Sequence, residues 1–173
     1  TVRTEGDECL RKVCKPVKSV SLRTRILIED MFDTMYESGG VGLAAPQIGV
    51  LKRIVVMDTD DNQHVLINPQ ILEVSGEQTG YEGCLSIPGK SGIVTRPDYV
   101  KVKSLNERGE EYVLEGEGLL ARCICHECDH LDGILYSDKA EGGLINNEDL
   151  PEDEEEELYE DAYEEFTEEE IHK

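Results

Sequence analysis

The chain has 173 residues, no Trp, and 39 acidic against 17 basic side chains, giving a net charge of −22. A chain of this length forms one domain that hides about 70% of its unfolded surface. The charge excludes direct binding to a phosphate backbone, which requires Lys and Arg. The apolar runs are strand-sized, as in Ile54-Val55-Val56-Met57. None approaches the roughly 20 residues of a membrane span. The opening TVRTEGDECLRKVCKPV lacks the apolar stretch of a secretory signal. The charge is uneven: residues 148–173 carry −14 and residues 1–147 carry −8. This predicts a single catalytic domain over 1–147 and an acidic tail over 148–173.

In chain order, Leu22 to Ser38 reads as a helix. Leu27, Met31 and Met35 form a stripe with Ile28 and Phe32 beside it, Ser21 caps the start, and Gly39-Gly40 ends it. GVGLAAPQIG follows, too small-sided for an ordinary strand and too Gly-rich for a helix. Strand-like runs come next, at 53–58, 64–68, 71–75, 92–95, 99–105 and 111–115, with NERGE as a hairpin turn between the last two. Strands this close together, with no helices between them, favour antiparallel or mixed sheets over βαβ units. Leu119 to Leu131 reads as a second helix ending near Gly133. The fold class is therefore α+β, with small sheets packed around that helix. In the tail, Leu158, Tyr159, Ala162, Tyr163 and Phe166 make an apolar stripe that suits a docked helix, against the plainer reading of a solvated acidic end.

The second helix carries His126-Glu127-Cys128-Asp129-His130. Residues four apart lie about 40° apart around a helix, so both imidazoles can reach one ion. Glu127 is offset enough to touch a water on that ion without being a ligand. This is the physical content of HExxH: two nitrogen ligands, and a carboxylate to take the proton of a water whose pKa the metal lowers. Two of the chain's four His are here, in an apolar segment where unpaired imidazoles would need a partner.

Catalytic sites of this kind generally have three protein ligands and one open position. Helical spacing turns Cys125 and Cys128 away from the ion and puts Cys123 on the site's side, one turn below, as pocket floor. The third ligand must come from elsewhere. Cys84, His64, Asp and Glu all remain open on spacing alone. Six Cys with three of them crowded beside a His pair suit metal chemistry or reduced thiols rather than disulfides, and so a cytoplasmic protein.

Three segments narrow the choice. Gly40-Val41-Gly42-Leu43-Ala44-Ala45-Pro46-Gln47, Glu82-Gly83-Cys84-Leu85-Ser86 and His126-Glu127-Cys128-Asp129-His130, in this order, resemble the three motifs of the peptide deformylases. LRKVCKPV, INP at 67–69 and HLDG at 130–133 resemble that family too.

The resemblance covers about residues 5 to 140. It implies Cys84, His126 and His130 as metal ligands, Glu127 as general base and acid, and Gln47 with the Leu85 backbone N–H as donors to the formyl oxygen. It implies one divalent ion, Fe²⁺ natively, replaceable by Zn²⁺, Ni²⁺ or Co²⁺. The substrate implied is the N-formyl-Met end of a nascent peptide, lying as an added strand along Val41 and Gly42 with Gly83 opposite and Cys123 beneath.

This chain departs from the family's pattern at Cys125, where Gln is common, and at Cys128, where an aliphatic residue is usual. Gly89-Lys90-Ser91 stands where many members carry an Arg. The end is acidic where many members have a basic helix for ribosome docking, which argues against docking by that route. Two other readings compete: a zincin-type metallopeptidase with a ligand downstream at Glu141, Glu148 or His172, and a non-catalytic metal-binding or interaction protein.

Overall fold

The computed structural model describes residues 1–151. The expected tail helix lies outside the described residues. Two helices and eight strands form the framework: α1 (Leu22–Glu37), β1 (Gly42–Ala44), β2 (Ile54–Thr59), β3 (Asn62–Ser75), β4 (Gln78–Cys84), β5 (Ile87–Arg96), β6 (Tyr99–Leu105), β7 (Glu111–Glu117), α2 (Gly118–Leu131) and β8 (Glu141–Asn146). The strands make a five-stranded sheet in the order β1-β2-β3-β6-β7 and a three-stranded sheet in the order β4-β5-β8. Every strand pairing within them is antiparallel, as the close spacing of strand-like runs predicts.

The five-stranded sheet is covered on both faces. Val55 and Met57 of β2 pack under α2 with Ala121, Ile124 and Leu131. Ile54 and Val56, one residue out of phase, pack under α1 with Ile28, Met31, Phe32 and Met35. Successive strand residues point to opposite faces, so a strand buried on both sides must be a continuous apolar run, which Ile54-Val55-Val56-Met57 is. Each such side chain contributes roughly 1.5–3 kcal/mol when fully buried. Leu10, Ile87, Val94, Leu135 and Tyr136 form a third, smaller core against the three-stranded sheet.

The helix ends follow local chemistry. Ser21 accepts from the Thr24 N–H while Thr24 Oγ1 accepts from the Ser21 N–H, a reciprocal cap. At the far end of α2, Gly133 has φ +75° and lies against the Arg11 backbone. The expected NERGE turn is closed by Asn106, whose Oδ1 accepts from the N–H groups of Arg108 and Glu110 at 2.9 and 3.0 Å. Two expected strands, 64–68 and 71–75, are one long β3. Its ladder shifts register between Ile67 and Gln70, around Asn68 at φ +52° and Pro69, which has no N–H to give.

Candidate active site

α2 projects His126 and His130 from one face, with ring centroids 5.1 Å apart. Opposite them, β4 brings Glu82 and Cys84, which lie two apart and so share a face of the strand. Cys84 ends β4, and its pairing with Ile87 closes a two-residue turn of Leu85 and Ser86. The ligating atoms of Cys84, His126 and His130 all lie within 4.8 Å of one another. Cys84 Sγ and His130 Nε2 are 3.4 Å apart. A tetrahedral ion at ordinary metal–sulfur and metal–nitrogen lengths would hold such a pair about 3.6 Å apart, so the donor set fits a metal. Cys125 and Cys128 are buried elsewhere on the helix and do not join the three, as helical spacing predicts.

The alternative third ligands are not at this point. His64 sits on β3 opposite Met57. Glu141 accepts from Thr95 Oγ1, Glu148 lies in an exposed turn, and His172 is outside the described residues.

The His rings are oriented unequally. His126 Nδ1 lies 2.7 Å from Glu82 Oε1, which turns Nε2 toward Cys84 and His130. Glu82 is held in turn by Arg96, through Nε at 2.9 Å and Nη2 at 3.0 Å, and by Arg122 Nη1 at 2.5 Å. Arg96 also reaches Asp129 Oδ2 at 2.7 Å. Burial would raise the Glu82 carboxyl, but His126 and Arg96 outweigh it and keep it well below the usual carboxylate range. Burial likewise disfavours charge on His126, yet hydrogen bonds to Cys84 and Glu82 push it up. Surroundings that favour a proton there favour any cation. His130 is held neutral by burial and by the positive charge of His126 and Arg96, the form in which imidazole binds metals. Its Nδ1 is buried with no hydrogen-bond partner.

Spacing alone did not reveal Glu82, Arg96 and Arg122. Glu82 stands inside the second motif, but only the fold shows that it backs His126. Arg96 ends β5 with its guanidinium on Glu82.

Glu127 is 4% exposed. Its Oε1 is 3.8 Å from His126 Nε2, and its Oε2 is buried without a partner. Burial pushes its carboxyl up to about 7. β1 passes directly over it. A Cβ at Gly42 would lie 2.9 Å from Cys123 Sγ and 3.0 Å from Glu127 Oε1, so only Gly lets the strand approach. Cys123 lies beneath, with its thiol 3.9 Å from the Val41 carbonyl.

Gln47, 1% exposed, follows β1 in a short 3-10 turn. Its Oε1 accepts from the Ala44 N–H at 2.9 Å. Its Nε2 therefore faces away, donating to Ser86 Oγ at 3.1 Å and toward Cys84 Sγ at 3.6 Å. Leu85 packs its side chain on Gly40. Between β1 and β4 lies a cleft of about 640 Å³, with Val41, Gly42, Gly83, Leu85, Cys123 and Glu127 among its walls. β1 and β4 are edge strands of their separate sheets, so each presents a free backbone edge.

Comparison with known proteins identifies the family. Residues 1–143 match the family model described as polypeptide deformylase. The peptide deformylase of Agathobacter rectalis is 61% identical over 144 residues, 83% of this chain and 91% of that one. That of Lachnoclostridium phytofermentans is 54% identical over 158 residues, 90% and 97% of the two chains. Among solved structures, the peptide deformylase of Thermotoga maritima superposes with a TM-score of 0.80 at 43% identity, covering 82% of this chain and 97% of its own. One from Synechococcus elongatus in complex with actinonin gives 0.80 at 42% identity, covering 82% and 80%. The chain belongs to the polypeptide deformylase family.

Proposed function

We propose that this protein removes the N-formyl group from the N-terminal methionine of newly made peptides and releases formate, with its catalytic domain in residues 1–147. Cys84, His126 and His130 hold one divalent metal ion, natively Fe²⁺, with Zn²⁺, Ni²⁺ or Co²⁺ as replacements. The observation that carries this reading is the convergence of those three donors with Glu127 and the Gln47 NH₂ at one end of a cleft between two strand edges. The substrate class supports a cytoplasmic setting, as do six free thiols. Among the described residues, no helix is long and apolar enough to cross a membrane.

When bound, the ion supplies a Lewis acid that makes water nucleophilic near neutral pH. The protein's own groups do the rest. The backbone at Gly42 of β1 and at Val41 just before it, with the edge of β4 at Gly83 opposite, aligns the peptide as an added strand, and Cys123 closes the floor. Glu127 takes the proton from the attacking water and returns it to the nitrogen as the formyl C–N bond breaks. A carboxyl held near 7 suits both halves of that task. Gln47 Nε2 and the Leu85 N–H donate to the formyl oxygen as negative charge gathers there, and each such donor is worth about 10²–10³ in rate.

The test is formate release from a formyl-Met tripeptide by protein loaded with Fe²⁺ or Ni²⁺. Turnover is expected, and Glu127→Gln should lower it by about 10² or more while the metal content stays at that of the parent. No turnover by the parent would overturn the function. Full turnover by Glu127→Gln would overturn its assigned role.

A further inference from the structure

The two proposed oxyanion donors stand on different sheets. Gln47 follows β1 of the five-stranded sheet, and Leu85 follows β4 of the three-stranded one. The Leu85 N–H and Gln47 Nε2 must meet one oxygen, so the spacing between the two loops has to be fixed. Side chains link them only through Gln47 Nε2, which donates to Ser86 Oγ at 3.1 Å and toward Cys84 Sγ at 3.6 Å.

The N-terminal segment supplies the rest. The Arg3 N–H donates to the Gln47 carbonyl at 2.6 Å, and the Glu5 N–H donates to the Ser86 carbonyl at 2.8 Å. Cys9 Sγ adds a contact to the Pro46 carbonyl at 3.4 Å. The segment is itself anchored. Asp7 N–H closes a turn on the Thr4 carbonyl, Asp7 Oδ1 caps Cys9, and Leu10 is 1% exposed in the third core. Val2 reaches the cleft wall.

We propose that residues 3–5 are a positioning strap that sets the distance between the two oxyanion donors. It rests on the assignment of Gln47 and Leu85 to that role. Amides two residues apart span no more than about 7 Å, so a strap bonded to both loops limits how far they can separate. Its bonds to the two loops run through backbone N–H groups, whereas the exposed Arg3 guanidinium pairs with Asp7 within the segment at 3.3 Å and lies beside Gly49, a surface contact worth little. Side chains at 3 and 5 are therefore replaceable, and the N–H groups are not.

Proline separates these cases because it removes the N–H. In the full chain, Arg3→Pro and Glu5→Pro should each lower kcat by about tenfold or more, since a misplacement of 1 Å can cost about 10². KM should stay within about twofold, and bound metal should equal that of the parent, because no ligand moves. Arg3→Ala and Glu5→Ala keep the N–H and should behave as the parent. The strap is overturned if both proline variants keep kcat within about twofold of the parent, if the alanine variants lose as much, or if the loss appears in KM or metal content instead. Gln47→Leu distinguishes the two failures. If it turns over at the parental rate, the donor assignment fails and the strap with it. If it is impaired while the proline variants are not, the strap alone fails.

Discussion

At the scale of single residues, Glu82 carries the most connections in the site. One carboxylate accepts from Arg96, Arg122 and His126 and is 6% exposed. Glu82→Gln keeps the shape but removes a buried counter-charge from two guanidiniums and adds N–H donors where acceptors are needed. Carboxylates behind metal-bound histidines typically contribute 10–100-fold to metal affinity. Glu82→Gln should therefore weaken metal binding by about that factor, measured by competition with a chelating indicator. Unchanged affinity in a variant that only melts earlier would make Glu82 structural. The proposed ligands were partly legible in the sequence, because helical spacing alone pairs His126 with His130 and rejects Cys125 and Cys128. Cys84 was not legible that way. It lies 42 residues before His126, and no local rule connects a strand end to a helix face. Only its motif context pointed to it.

At the scale of elements, the positions where chains cross are the most constrained. Gly133 ends α2 at φ +75°, and a Cβ there would meet the Arg11 carbonyl oxygen at 2.5 Å and its carbon at 2.7 Å. Backbone cannot swing aside as a side chain can. A left-handed conformation costs a non-Gly residue about 1–3 kcal/mol before any clash. Gly133→Ala should lower stability by at least about 2 kcal/mol, seen as a lower urea midpoint with an unchanged slope. An unchanged midpoint would show that Arg11 yields easily. α1, β6, β7 and α2 were legible because a buried face imposes a period on each, and β2 because burial on both faces makes it a continuous apolar run. β1 (GLA), β4 (QTGYEGC) and β8 (EGGLIN) were not. β1 and β4 line the cleft, and all three are rich in Gly. Their pairing is set by neighbours rather than by their own alternation. Cleft strands need a small surface for close approach, and that same need removes the pattern by which strands are recognised.

At the scale of the whole molecule, the proposed metal site lies between two sheets. His126 and His130 belong to a helix packed on the five-stranded sheet, and Cys84 belongs to the three-stranded one. An ion bound to all three is a cross-link that the unfolded chain lacks. It should therefore stabilise the fold by linkage, about 2.7 kcal/mol when free metal is at 100 times Kd. For a chain of this size each kcal/mol moves Tm by about 2–4 °C, so chelation should lower Tm by about 5–10 °C. The control is Cys84→Ser, which replaces the only donor from the smaller sheet with a weaker one. Its Tm should sit near that of the chelated parent and should respond little to added chelator. If chelation strips the ion from the parent without moving Tm, the two sheets hold together without it. The cross-link would then be chemical equipment alone, and the bonds of Glu82 to Arg122 and His126 would be the main tie between β4 and α2.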